Sequence, residues 1–191
     1  MPNWCYNNLD ITAKTPEQME MLDRVSKAEA ADGFISMFLP LPEALKETTS
    51  PAPQPGQANY KGEQPVVDGF DNWYDWQVAK WGTKWDPEVM DCDYDGETLT
   101  VSFDSAWAPP IAFYEWLVEQ GYEVSANYYE PGMDYAGEWV NGDDFMLENV
   151  SDLARQTEES LSTREYDILE MFGIFEEVAQ YDEEEMLDDG A

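Results

Sequence analysis

Histidine is absent from this chain. Its absence excludes Ser-His-Asp and Cys-His nucleophilic catalysis, and with them any zinc site that uses imidazole. Cysteine is nearly absent too. Cys5 and Cys92 are too few and too far apart for a four-thiolate zinc site, and they read as small buried hydrophobes rather than as a disulfide. No run of about 18 apolar residues occurs, and the start of the chain has neither a basic segment nor a signal-type hydrophobic stretch. The cytosol is therefore the expected location.

The scarcity of basic residues excludes more. Nine lysines and arginines face 42 aspartates and glutamates, a net charge of -33. Phosphate contacts need bases, so direct binding to nucleic acid is disfavoured. The imbalance is uneven along the chain: residues 1 to 84 hold 12 acids and seven bases, whereas residues 85 to 191 hold 30 acids against only Arg155 and Arg164. Self-repulsion on this scale opposes compactness, so a partner or a medium must account for it. A basic protein groove, divalent cations and a high-salt environment would each serve.

What the chain does contain is material for a core, with 43% apolar and 14% aromatic residues. That is too rich for a disordered chain, and 191 residues suit one domain or one domain with an appendage. Leu99 to Phe103 alternates apolar and polar, the mark of a strand with one face on a core. Thr15, Pro16 and Gln18 start a helix with a capping box, its apolar stripe running to about Asp32. Phe34 to Leu39 reads as a second strand, and Thr48 to Val66 as a polar surface excursion. Asp71 to Trp81 reads as a helix stopped by Gly82, and Ile111 to Gln120 as another. Tyr122 to Tyr129 alternates as a strand, and Glu138 to Leu147 forms a hairpin at Asn141-Gly142. Beyond Asn149 the period is helical, with Ser162 and Glu165 boxing one helix, Gly173 separating the next, and DEEEMLDDGA fraying at the end. The expected fold is α+β, a ferredoxin-like sandwich over residues 1–148 with a mostly antiparallel sheet and helices on one face. An acidic helical extension over residues 149–191 completes it.

The candidate sites are few. Asp91, Asp93, Asp95 and Gly96 imitate the opening of a calcium loop, but Ser102 stands where the bidentate glutamate belongs, and an Asp-Gly β-turn explains them better. Gly132, Gly137 and Gly142 lack the lysine and hydroxyl of a phosphate loop. Tyr128, Tyr129, Tyr135 and Trp139 read as strand and core packing. Lys80 and Lys84 flank Trp81, which suggests a cation-π contact or a local pair with Asp86. With so many acids, carboxylate pairs at glycosidase spacing arise by chance, so no catalytic residue, cofactor or metal is expected. The short acidic groups between apolar anchors are different: Asp143 and Asp144, Glu158 and Glu159, Glu176 and Glu177, and Asp182, Glu183, Glu184 and Glu185. Anchored carboxylates could present a basic groove with a field like that of duplex DNA. The expectation is a non-enzymatic, partner-binding role for these ten residues.

Four segments in order, MPNWCYNNLDI, FLPLPEAL, WGTKWD and FDSAWAPP, followed by YYEPGMDYAGEW, resemble the YubB-like proteins of plasmids and bacteriophages over about residues 1 to 140. The resemblance implies a ferredoxin-like domain and a mobile-element origin, and it carries over no catalytic residues. That origin favours a role against host defence, and together with the acidic clusters it makes a basic host protein that handles DNA or RNA, met in the cytoplasm of a bacterial host, the expected partner. An acidic interaction or structural module without such imitation is the alternative, and a carboxylate-based or metal-dependent enzyme is a more distant one. The acidity and the helical C-terminus depart from the family pattern in the direction of specialisation for one partner.

Overall fold

The computed structural model describes residues 3–28 and 33–188, with the side chains of Leu187 and Asp188 not included. Strand β1 (Trp4–Thr12) leads into helix α1 (Pro16–Ser26) through the expected capping box, in which Thr15 accepts from the Gln18 N–H and the Gln18 side chain accepts from the Thr15 N–H. The helix ends at Ser26. The part of its stripe assigned as far as Asp32 lies outside the described residues.

Phe34 to Leu39 is not a strand. It holds a single helical turn, α2 (Ile35–Phe38), because the Asp86 carboxylate about fifty residues downstream accepts from the N–H groups of Phe34, Ile35 and Ser36 at 2.8, 2.7 and 2.9 Å. Those donors would otherwise be orphaned at the helix start. With them satisfied, Phe34 and Phe38 meet edge to face at 5.9 Å on the buried side.

The segment over residues 49–66 is mostly exposed. Gln64 pins it, since its side chain accepts from the Thr49 N–H and donates to the Thr49 and Asp71 carbonyls. Helix α3 (Trp73–Trp81) follows. Asn72 caps it, and Gly82 ends it at φ +80°.

Strands β2 (Val89–Tyr94) and β3 (Thr98–Ala106), helix α4 (Ile111–Glu119), and strands β4 (Glu123–Glu130), β5 (Tyr135–Val140) and β6 (Asp143–Glu148) complete the sheet. All six strands pair antiparallel in the order β2-β3-β1-β4-β5-β6. Helices α5 (Val150–Ala154), α6 (Thr163–Met171) and α7 (Ile174–Asp188) close the chain. Since α7 runs to Asp188, most of the stretch expected to fray is helical.

Alternation assigns the faces. Leu9, Ile11, Leu99, Val101, Phe103, Val124, Ala126, Tyr128 and Trp139 point to the core that α1 to α4 cover. Tyr129, Ala136 and Leu147 point the other way and bury Ile168, Leu169, Ile174 and Val178 from α6 and α7. Helices therefore lie on both faces of the sheet rather than on one. The C-terminal helices cover the β4-β5-β6 end, where Tyr129, Ala136 and Leu147 give the second face its buried apolar cluster. Among the described residues no helix is long and apolar enough to cross a membrane.

One polar network sits in the main core. The Asn7 amide donates to the Cys5 carbonyl at 2.7 Å and to Ser105 Oγ at 2.9 Å, and its Oδ1 accepts from the Tyr114 hydroxyl at 3.0 Å. Tyr114→Phe would strip the buried Oδ1 of its donor, with an expected loss of about 1–3 kcal/mol in urea unfolding. Combining it with Asn7→Leu is expected to cost less than the sum of the two single changes, because the orphaned acceptor is gone.

Both cysteines are free thiols, but only Cys5 is fully buried. Burial, then the nearby Glu130 carboxylate, pushes the Cys5 thiol up to about 12. Partial burial and the flanking Asp91 and Asp93 raise the half-exposed Cys92 as well. Fewer thiolates form at a given pH when the thiol is raised. At about pH 8, iodoacetamide is expected to label Cys92 slowly and to spare Cys5 until urea unfolds the chain, as mass spectrometry would show.

Candidate partner-binding surface

Over β2, β3 and β1 the second face of the sheet has no helical cover. Its outward positions are Asp91 and Asp93 on β2, Thr100, Ser102 and Asp104 on β3, and Tyr6, Asn8 and Asp10 on β1, with Glu123 and Ser125 beside them on β4. No lysine or arginine stands among them. At its border Lys14 reaches Glu123 at 3.0 Å from just beyond the end of β1.

The register sets these carboxylates in rows. Asp93, Thr100 and Asp10 lie side by side on adjacent strands, which separates the two acids by two strand spacings, about 10 Å. Asp91 and Asp93 are two residues apart on one strand, about 7 Å. The Thr100 hydroxyl donates to Asp10 Oδ1 at 2.6 Å, so that carboxylate is held in place. Asp95 belongs to the turn instead: it accepts from the Glu97 and Thr98 N–H groups in the Asp95-Gly96 β-turn, and those backbone bonds hold its carboxyl below the usual range. Among the described residues no three carboxylates or thiols gather to hold a metal ion.

The ten acids singled out beyond Trp85 do not form one cluster. Asp143 and Asp144 open β6 on opposite faces of the sheet, and Asp144 accepts from the Tyr128 hydroxyl at 2.6 Å. Glu158 and Glu159 lie in a 3-10 turn, while Glu176 and Glu177 form the first turn of α7. The negative charge of Glu170, then that of Glu158 and Glu176, raises the Tyr166 phenol. Glu177 accepts from the Tyr129 hydroxyl at 3.2 Å. Asp182 is paired with Arg155 at 2.7 Å, which holds its carboxyl low, whereas Glu183, Glu184 and Glu185 are exposed on α7. Arg164 is paired as well, with Glu138 at 2.6 Å.

A second feature borders the open face. Trp107 at the end of β3, Trp85 from the loop before β2, and Trp4 at the start of β1 form a chain of rings with centroids 6.3 and 6.4 Å apart. All three are more than 40% exposed, against burial to 1% for Trp81 and Trp139. The Lys84 ammonium lies 4.3 Å from the Trp85 ring, and 5.6 and 5.7 Å from those of Tyr74 and Trp107. The expected cation-π contact is thus present, but Trp81 takes no part in it: its indole donates to the Leu39 carbonyl from inside the core.

Trp107 adopts φ +70°, a left-handed backbone that a bulky side chain adopts at a cost of about 1–3 kcal/mol. Its N–H donates to the Asn3 carbonyl and its carbonyl accepts from the Tyr135 hydroxyl, which together hold it there. Segments far apart in sequence meet at this end of the sheet. Asn3 lies against Gly132, Thr83 accepts from the Ala106 N–H, and Glu130, fully buried, accepts from the Gly132 and Met133 N–H groups.

No protein-family model matches the chain, and no curated protein does. A solved structure, that of protein api92 from Yersinia pseudotuberculosis, described by family model DUF1281, is similar at 12% identity and a TM-score of 0.38. The likeness covers 78% of this chain and 98% of that one.

Proposed function

We propose that this protein is a polyanion imitator of mobile-element origin, which occupies the nucleic-acid groove of a basic host protein and blocks it in the host cytoplasm. The observation that carries the reading is the uncovered sheet face. Asp10, Asp91, Asp93 and Asp104 project from hydrogen-bonded strands with no base among them, so their spacing is set by the backbone. A basic groove that meets such preorganised charge pays little to order it. The exposed acids of α7 and of the 3-10 turn at Glu158 extend the same sign of potential on the helical layer.

The reading is of a binding protein without catalysis. A ferredoxin-like unit is part of it: β1, α1, β2, β3, α4 and β4 follow the β-α-β-β-α-β order, and β4-β1-β3-β2 places the later strands on either side of the first. Resemblance to the YubB-like proteins supports the mobile-element origin.

Competition with DNA tests the idea. Immobilised protein should retain from host lysate a protein that itself binds duplex DNA, and excess duplex DNA should displace it. Raising salt from about 50 to 200 mM should weaken capture by at least ~10-fold. Retention that DNA leaves untouched would instead favour an interaction module without imitation.

A further inference from the structure

A cavity of about 390 Å³ opens beside the tryptophans, lined by Trp4, Trp85, Met90 and Ala106 and by the acidic residues Asp86, Glu88 and Asp104. Its walls are apolar and aromatic, and every charged group in its lining is negative. Asp86 is committed to the start of α2 and contributes field alone. Asp104 is not committed. Its Oδ1 is shielded from water and has no hydrogen-bond donor, and desolvation raises the carboxyl above its usual range. A half-desolvated carboxylate without a donor lacks a partner that a cation would supply.

We propose that this cavity seats an arginine side chain of the protein partner, its guanidinium paired with Asp104 and its plane against Trp4 and Trp85. Arginine fits better than lysine, since it is weakly hydrated, planar and able to stack on indole while donating to a carboxylate. The chain shows the same chemistry in its own fold: the Arg164 guanidinium lies 4.1 Å from the Phe145 ring and 2.6 Å from Glu138. Lys84, which is not in the lining, shows that the Trp85 ring takes a cation.

The proposal rests on the reading of a basic protein partner, and its test separates the two. N-acetyl-arginine amide, titrated into the full chain, should shift the indole N–H resonances of Trp4 and Trp85 saturably. Asp104→Asn and Trp85→Leu, both outside the core, should each weaken that binding by at least ~10-fold. The uncharged isostere N-acetyl-citrulline amide should give no saturable shift. No response to the arginine amide, equal binding of the citrulline or lysine amide, or full binding by Asp104→Asn would overturn the seat. If wild type and Asp104→Asn retain a DNA-displaced partner equally well, the seat falls and the imitation reading stands. If the arginine amide binds while no DNA-displaced partner is retained, the seat stands and the imitation reading falls.

Discussion

Replacing Trp139 by alanine is expected to destabilise the protein by about 3–5 kcal/mol, seen as a lower urea midpoint with an unchanged slope. Trp139 is 1% exposed on the core face of β5, beside the small Ala126 of β4, with its ring 5.5 Å from that of Tyr114. The small neighbour makes room for the indole, so its removal would leave a cavity. Three positions back, an odd step that reverses the face, Ala136 points to the opposite cluster under α6 and α7. A displaced β5 would therefore loosen both layers. Trp85→Leu serves as the comparison: a ring 41% exposed should cost under about 1 kcal/mol. Equal costs for the two would contradict the assignment of faces.

Local chemistry made much of this fold legible before any coordinates. The boxes at Thr15 and Ser162, the stop at Gly82 and the turn at Asn141-Gly142 all lie where the residue types place them. Each is settled within a few residues of sequence, which is why it can be read there. Phe34 to Leu39 failed because a short apolar run is ambiguous in period, and the group that decides it, Asp86, is remote in sequence. The seat of the C-terminal helices was hidden for a similar reason. Their apolar stripes demand a partner without naming it, and only the strand order brings Tyr129, Ala136 and Leu147 into line to receive them.

The tryptophan cavity was missed although a signal existed. Trp85 and Trp107 lie outside the periodic segments, next to turns, where an aromatic has no core position to fill. Sequence proximity sets Lys84 against Trp81, and the structure turns it toward Trp85 and Trp107 instead. The acids posed the opposite difficulty. They are so many that clustering in sequence carries little information, and the ones the sheet aligns, Asp10 and Asp93, are more than eighty residues apart.

Exchanging Asp10, Asp91 and Asp93 together for asparagine is expected to weaken partner capture by ~10- to 100-fold at low salt and to lower the salt slope by about one to three. The change removes three charges from a total of -33, so a partner that sensed only net charge would hardly notice it. A partner that reads position would lose a row of carboxylates spaced by the sheet. The informative comparison is Glu183, Glu184 and Glu185, changed together to glutamine, which removes the same charge from exposed positions on α7. No hydrogen bond from a neighbouring strand orients those side chains as Thr100 orients Asp10. Ordering them against a groove costs side-chain entropy that Asp10 has already lost, and they lack the backbone spacing that the sheet gives Asp91 and Asp93. The helix triple should therefore weaken capture less than ~3-fold, while binding of the arginine amide stays unchanged in it. The reverse ranking would move the contact surface from the sheet to α7.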